Sequence, residues 1–299
     1  MIVHLNDELL PAPAARVGVF DRGFLFGDGV YEGVRVFDGV PMAVDRHVRR
    51  MAEGLAEARI PWDASRLPGI AEDLCRANGL RDAFMYVQVT RGEPGPGEPV
   101  RARTLREAAA PTVFAFATEQ PPLETYAAPP TIRLASAADT RWARGHLKSI
   151  SLLGNVLAAY DARDAGGDEV LMHRDGFVTE ACASNLILVL GGRPVTPALD
   201  GVSILHGVTR ARCLELDAAI EERPVPIEAI ADASEIILVG TTSIVTAAVS
   251  LDGRTVGDGT PGPVARRLLD RVLQDCRAQI TGVATASATT AAPTPASVA

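Results

Sequence analysis

Asp139-Thr-Arg-Trp-Ala-Arg-Gly-His146-Leu-Lys148-Ser149-Ile150-Ser151-Leu152-Leu153-Gly-Asn155 is the stretch around which the rest of the chain is arranged. A polar and basic run leads into a single lysine, and Leu153, Val156, Leu157 and Tyr160 follow at the spacing of an amphipathic helix with one buried stripe. The pattern predicts that this helix starts at Lys148, where a loop meets the core. Partial desolvation at such a boundary favours the neutral amine, which is the nucleophile a Schiff-base lysine requires. An arbitrary lysine in a first helical turn would instead extend its ammonium into water. The assignment of Lys148 therefore depends on what surrounds it in the chain.

With 299 residues, 47% of them hydrophobic and 22% charged, the sequence can bury one large core or two of ordinary size, and two domains fit its length. A formal charge of −8 and a pI near 5.2, without a basic stripe, argue against nucleic-acid or anionic-membrane partners. Met1 leads directly into Val3-His4-Leu5-Asn6-Asp7 with no positive n-region or apolar h-region, and no apolar run reaches the roughly 20 residues of a membrane span. A cytoplasmic location is the expectation. Cys75, Cys182, Cys213 and Cys276 include no CxxC pair, so neither a metal site nor a disulfide framework is expected, only reduced core thiols.

Upstream, Ile2 to Leu5 and Glu8 to Leu10 read as strands around an Asn6-Asp7 turn. Asp21 to Gly29 carries three glycines among aromatics, the mark of a tight loop. Val30 to Phe37 alternates as a strand closed by Asp38-Gly39, with Val40 to Val44 returning. Period two puts Tyr31, Gly33, Arg35 and Phe37 on one face: a phenol, a gap and a guanidinium in a row. Asp45 is the expected N-cap of a helix reaching Ala58 and burying Val48, Met51, Leu55 and Ala58, with His47 and Arg50 on one flank. A second helix is expected near Asp63 to Ala77, then a strand from Phe84 to Gly92, the loop Glu93 to Pro99 and a strand over Thr112 to Ala117. Gln120 to Pro130 reads as an interdomain linker.

Downstream, Glu169 to His173 and Phe177 to Glu180 form a hairpin about Asp175-Gly176, followed by a strand from Leu186 to Leu190. Gly207-Val208-Thr209-Arg210 opens a helix reaching about Ala219, Glu235 to Val239 is a buried strand ending in Gly240-Thr241-Thr242-Ser243, and Pro263 to about Ile280 is a helix. Residues 281–299, almost entirely small and polar, are expected to be a disordered tail.

Five stretches, in order, resemble the fold-type IV pyridoxal-phosphate enzymes, the group of D-amino-acid aminotransferases, branched-chain aminotransferases and aminodeoxychorismate lyases. They are Phe26 to Gly39, His47-Val-Arg-Arg50, Lys148 to Asn155, Thr179-Glu180 through Ser184-Asn185, and Gly207-Val-Thr-Arg210 with Thr241-Thr242-Ser243. The resemblance runs from Val3 to about Arg277. It implies an α/β fold of two domains, a small N-terminal one over 1–118 and a larger, barrel-like mixed α/β one over 131–280 joined by a linker at 119–130. It also implies a cleft between them for pyridoxal 5′-phosphate and an assembly that is at least a homodimer.

Carried over by position, Lys148 resembles the lysine that forms the Schiff base with the cofactor and then shuttles the proton. Glu180 resembles the carboxylate facing the pyridine nitrogen. Arg50, the backbone N–H groups of Val208 and Thr209, and the hydroxyls of Thr209 and Thr241 resemble the phosphate site. Ser184 and Asn185 resemble residues lying under the cofactor, while Cys182 and Ala183 stand where some members have serines.

The resemblance implies a transaminase acting on a small-molecule amino donor and a 2-oxo acid. Tyr86-Val-Gln88-Val-Thr-Arg91-Gly92 and Leu147-Lys148-Ser149 are most similar to D-amino-acid aminotransferases, and branched-chain enzymes tend to carry arginine where Gln88 stands. The loop Glu93-Pro-Gly-Pro-Gly-Glu-Pro lacks the arginine and histidine with which D-specific members hold the substrate carboxylate. Tyr31-Glu-Gly-Val-Arg35 is closer to the branched-chain pattern. Relaxed D-amino-acid specificity leads, with branched-chain or L-type, (R)-amine and aminodeoxychorismate-lyase activities as alternatives. Tyr31, Arg35 and, in reserve, Arg91 are the expected substrate-binding residues, with Gly33 leaving room for substrate to approach Arg35. Phe24-Leu25-Phe26 is expected near the subunit interface.

Overall fold

The alternating segment around Tyr31 forms β3 (Gly29–Phe37) of a six-stranded sheet in which every neighbouring pair is antiparallel. The structure is a computed structural model and describes residues 1–282. With β1 (Ile2–Leu5), β2 (Glu8–Pro11), β4 (Val40–Pro41), β5 (Ala83–Thr90) and β6 (Thr112–Glu119), the strand order is β2-β1-β6-β5-β3-β4. Val30, Val34, Val36, Met85 and Val87 turn to one side, where Met51 and Leu55 of α2 (Val44–Ala58) and Leu67 and Leu74 of α3 (Leu67–Asn78) close the core. The opposite face carries Tyr31, Gly33 and Arg35 in register with Gln88, Tyr86 and Phe84. A short helix, α1 (Arg22–Phe26), capped by the Asp21 side chain, leads into β3.

The second sheet has nine strands: β7 (Thr131–Ala138), β8 (Glu169–Arg174), β9 (Phe177–Ala181), β10 (Asn185–Leu190), β11 (Arg193–Thr196), β12 (Glu221–Glu222), β13 (Ala233–Gly240), β14 (Ile244–Leu251) and β15 (Arg254–Thr255). Its order is β12-β11-β10-β13-β14-β7-β8-β9, with β15 beside β14. The sheet is mixed, because β7 runs parallel to both β14 and β8. Asp175 and Gly176, both at positive φ, turn β8 into β9, as a two-residue hairpin demands. Around this sheet lie α4 (Leu153–Asp164), α5 (Val208–Leu216) and α6 (Pro263–Ile280); α6 buries Leu268, Leu269 and Leu273 against Ile237, Val245 and their neighbours. The two sheets make a mixed α/β architecture, the larger one curled. No helix among the described residues is long and apolar enough to cross a membrane.

Four local expectations are corrected. The returning strand stops at Pro41, and Ala43, at φ 47°, caps α2, so Asp45 lies inside the first turn, where its charge still complements the helix dipole. Lys148 does not start a helix: Ser149 bridges Val30 of the first sheet, and α4 begins only at Leu153. Leu153, Val156, Leu157 and Tyr160 are not a buried stripe but lie exposed, Leu153 at 70%; spacing reveals an apolar face without saying what covers it. Helix α5 ends at Leu216, and Glu221-Glu222, two residues with no strand signature, pair in parallel with β11. All four cysteines are free thiols. The expected tail lies, from residue 283 on, outside the described residues.

Candidate active site

A cavity of about 180 Å³ opens between the sheets, and Lys148, Glu180, Arg50, Thr209 and Thr241 all line it. Lys148 reaches it from an extended segment. Its carbonyl accepts from Tyr31 N–H at 3.0 Å and Ile150 N–H donates to the Gly29 carbonyl at 3.1 Å, so the lysine rides on the edge of β3. Its Nζ lies 4.2 Å from the centre of the Tyr31 ring. Tyr31 itself is backed by Tyr86 and Phe116, rings spaced 5.4 and 5.2 Å apart in succession.

At one end of the cavity stands Glu180, at the end of β9 and buried. Its Oε2 accepts from Leu205 N–H at 3.1 Å and from Asn185 Nδ2 at 3.0 Å, while Oε1 lies 3.0 Å from Arg141 Nη1. Arg141 is forked onto Asp139 at 2.9 and 2.8 Å, and Asp139 is also 3.0 Å from Arg174. Burial pushes the Glu180 carboxyl above the usual carboxylate range, and Arg141 and the Leu205 amide oppose that shift. Burial disfavours the Arg141 charge as well, but Asp139 and Glu180 hold its pKa above the ordinary arginine value. Nothing in the sequence set Arg141 apart from its basic neighbours; only the close return of β9 pairs it with Glu180.

At the other end, α5 points its N-terminus into the cavity, with Val208 and Thr209 as its first two residues and no side chain capping them. Their N–H groups and the helix dipole favour an anion there. The cup is tightly built: a Cβ on Gly207 would fall 1.8 Å from Asn185 Oδ1, and one on Gly240 would fall 2.8 and 2.9 Å from the hydroxyls of Ser243 and Ser184. Arg50 completes it. Its Nε and Nη2 donate to the two oxygens of Glu32 at 2.6 and 2.8 Å, and Nη1 donates to the His206 carbonyl at 3.1 Å. Glu32 is completely buried and also meets His47 Nδ1 at 2.7 Å. Burial opposes its ionisation, yet the Arg50 guanidinium and His47 bring its pKa down to about 2. Burial in turn lowers the His47 pKa, against the pull of Glu32. Glu32 was hidden to sequence reasoning because period two merely placed it on the core-facing side of β3.

An amine, an anion cup and a buried carboxylate thus line one cavity. That set suits a molecule with a phosphate, a protonatable ring nitrogen and a carbonyl. Residues 29–251 match the amino-transferase class IV family. The chain belongs to the class IV aminotransferases. It is 32% identical over 278 residues to the D-alanine aminotransferase of Bacillus licheniformis, covering 90% of this chain and 94% of that one. It is 31% identical over 283 residues to a putative branched-chain-amino-acid aminotransferase of Methanocaldococcus jannaschii, covering 91% and 95%. In fold it matches the Escherichia coli branched-chain amino acid aminotransferase with a TM-score of 0.81 at 24% identity, over 96% of this chain and 97% of the other. Class IV aminotransferases use pyridoxal 5′-phosphate, and one of the matching structures was solved with pyridoxamine 5′-phosphate.

In this class IV aminotransferase the two expected carboxylate-binding arginines do not line the cavity. Arg35 faces a second cavity, donates to the Pro121 carbonyl and stacks 4.5 Å over the Phe37 ring. The gap expected at Gly33 is filled from the neighbouring strand, since a Cβ there would lie 2.7 Å from the Phe84 ring. Arg91 forks onto Asp28 at 2.9 Å through both Nε and Nη2, and donates to the carbonyls of Ala58 and Arg59. It ties a loop to the end of α2. Tyr31, by contrast, faces the Lys148 cavity, as do Asn185 and Ser184.

Proposed function

We propose that this aminotransferase moves an amino group between D-amino acids and 2-oxo acids with relaxed side-chain specificity, using Lys148 as nucleophile and proton carrier. The observation that carries this reading is that Lys148, Glu180 and the Arg50–Thr209–Thr241 cup line one cavity. When bound, pyridoxal phosphate supplies an electron sink for the charge that forms at the substrate α-carbon. Arg50, Thr209, Thr241 and the first N–H groups of α5 take its phosphate. Glu180, paired with Arg141, would face the ring nitrogen and favour a proton there. Lys148 Nζ would hold the cofactor covalently and, when free, would take up and return the α-proton of the substrate. Leu205 and Tyr31, the latter backed by Tyr86 and Phe116, line the cavity and would help to exclude water from the cofactor.

The D-amino-acid preference is supported by the D-alanine aminotransferase similarity and by Gln88, whose Oε1 accepts from Tyr86 OH at 2.9 Å. The three cations on the cavity wall are Arg50, Arg141 and Lys148, and the two arginines are already bound to Glu32 and to Asp139 with Glu180. The substrate carboxylate is therefore received by neutral donors, the Tyr31 hydroxyl and the turn at Thr241-Thr242. A branched-chain specificity is the second reading, favoured by the Methanocaldococcus relative. A coupled assay of D-alanine, L-leucine and (R)-1-phenylethylamine against 2-oxoglutarate decides between them; turnover of L-leucine alone would discard the D-specific reading.

The working enzyme is a cytoplasmic homodimer in this reading. Support comes from the free thiols, which suit a reducing compartment, and from the apolar face of α4, where Leu157 and Tyr160 are 54% and 52% exposed beside Trp142 at 48%. Sedimentation of wild type and of Leu157→Glu tests it; a monomeric wild type would refute it.

A further inference from the structure

Behind the anion cup lies a second cavity of about 50 Å³, walled by β3, α6 and the reverse side of Val208, Thr209, Gly240 and Thr241, the residues that also face the Lys148 cavity. Arg35 is the charged group of β3 on its wall. Only 4% of Arg35 is exposed, and its Nε is buried with no hydrogen-bond partner. Arg35 donates to the Pro121 carbonyl and lies over the face of Phe37; Asp82 attracts it only from a distance, with no hydrogen bond between them. A buried guanidinium without a counter-charge is costly, since cations taken from water are normally paired. The other charges on this wall do not offset it, because Arg212 is forked onto Asp275.

We propose that this cavity is a binding site for one small monovalent anion, a halide or a carboxylate of formate or acetate size, anchored by Arg35. The size follows from the volume, which holds a few water-sized bodies at about 10–15 Å³ each. The single charge follows from the one unmatched guanidinium. Phe37, Met42, Ile244 and Val272 on the same wall give no donors for the oxygens of a sulfate or phosphate dianion, and His47 and Gln279 are already bonded to Glu32 and to Asp275. The site is separate from the substrate's: Arg35 lies beyond the wall that carries Thr209 and Thr241, and an occupant there neutralises a cation behind the cup without entering it.

Crystals of the holoenzyme grown without halide and soaked in bromide test this directly. The expected result is an anomalous peak against the Arg35 guanidinium in wild type and none at that place in Arg35→Met. Adding acetate to the bromide soak separates the two anion chemistries: loss of the peak assigns a carboxylate-accepting site, and its persistence assigns a halide site. In solution, at ionic strength held constant with gluconate, chloride should raise the wild-type melting temperature saturably, by about 3 °C at tenfold the dissociation constant. Water alone at Arg35 under saturating bromide and acetate, or a wild-type melting temperature indifferent to both, would overturn the proposal. Because the wild-type measurements suffice, a variant that fails to fold leaves the test intact.

Discussion

Glu32 grips Arg50 with both carboxylate oxygens, at 2.6 and 2.8 Å, from a position with no solvent exposure. The fork fixes the plane of the guanidinium, so that the cup meets a phosphate with a cation already oriented. Glu32→Gln loses one strong charge-assisted contact of about 1.5–3 kcal/mol, and the affinity of the apoenzyme for pyridoxal phosphate is expected to fall roughly 10- to 100-fold. Fluorescence titration of the apoenzyme measures it. An unaltered affinity would mean that Arg50 is held by the His206 carbonyl alone.

The same pair predicts a particular acid response. The Glu32 carboxyl has a pKa of about 2 in the folded chain against an ordinary 4.5, a depressed value. Its contribution to stability is complete above the ordinary value and is lost as pH falls from about 4.5 towards 2. Half-buried Asp28 and buried Asp139, also lowered by their arginines, act in the same sense. Denaturant midpoints of wild type and Glu32→Gln are expected to differ at pH 6 and to converge towards pH 3; parallel curves would remove Glu32 from the acid response.

Lys148→Ala is expected to fold, to bind cofactor more weakly and without covalent attachment, and to lose turnover, since nucleophile and proton carrier disappear together. Borohydride reduction followed by peptide mass spectrometry reads the attachment: the wild type gains cofactor mass on the peptide carrying Lys148 and the variant gains none. Appreciable turnover in the variant would remove Lys148 from the mechanism.

Glu180→Gln is expected to bind cofactor yet to slow the half-reaction by orders of magnitude. It leaves Arg141 with one carboxylate partner in place of two and puts a neutral amide where a charge is needed. Breaking a buried charged pair costs about 3–5 kcal/mol, enough for such a loss if it is felt in the transition state. Stopped-flow half-reactions with D-alanine provide the measurement, and wild-type rates would place the ring nitrogen elsewhere.

Motif order alone pointed to Lys148, Glu180, Arg50, Thr209 and Thr241, which line one cavity: Glu180 lies at the end of β9, Thr209 opens α5 and Thr241 follows β13, whereas Lys148 lies in an extended segment and Arg50 inside α2. Their partners were not legible. Arg141 meets Glu180 across 39 positions and Glu32 meets Arg50 across 18, and such pairings arise only when strands return beside one another. Arg35 lines a different cavity from Lys148 for a related reason. Alternation placed it correctly on the face of Tyr31, but it could not reveal that Phe84, one strand away, would close the gap at Gly33. The stripe on α4 was seen for what it is, an apolar face, and assigned to the wrong neighbour.

One consequence of the Lys148 segment concerns how the molecule is held together. By chain position the lysine follows β7 of the larger sheet, but by backbone pairing it belongs to β3 of the smaller one, while the phosphate cup belongs to the larger. Under the proposed site, cofactor held at both ends would be a cross-link over the seam, and loading the enzyme would amount to stapling its two halves. The stretch from Thr140 to Leu147, held across that seam by Glu57 on one side and Ser203 on the other, is where the difference would register. Limited proteolysis there should be fast in the apoenzyme and slow in the holoenzyme.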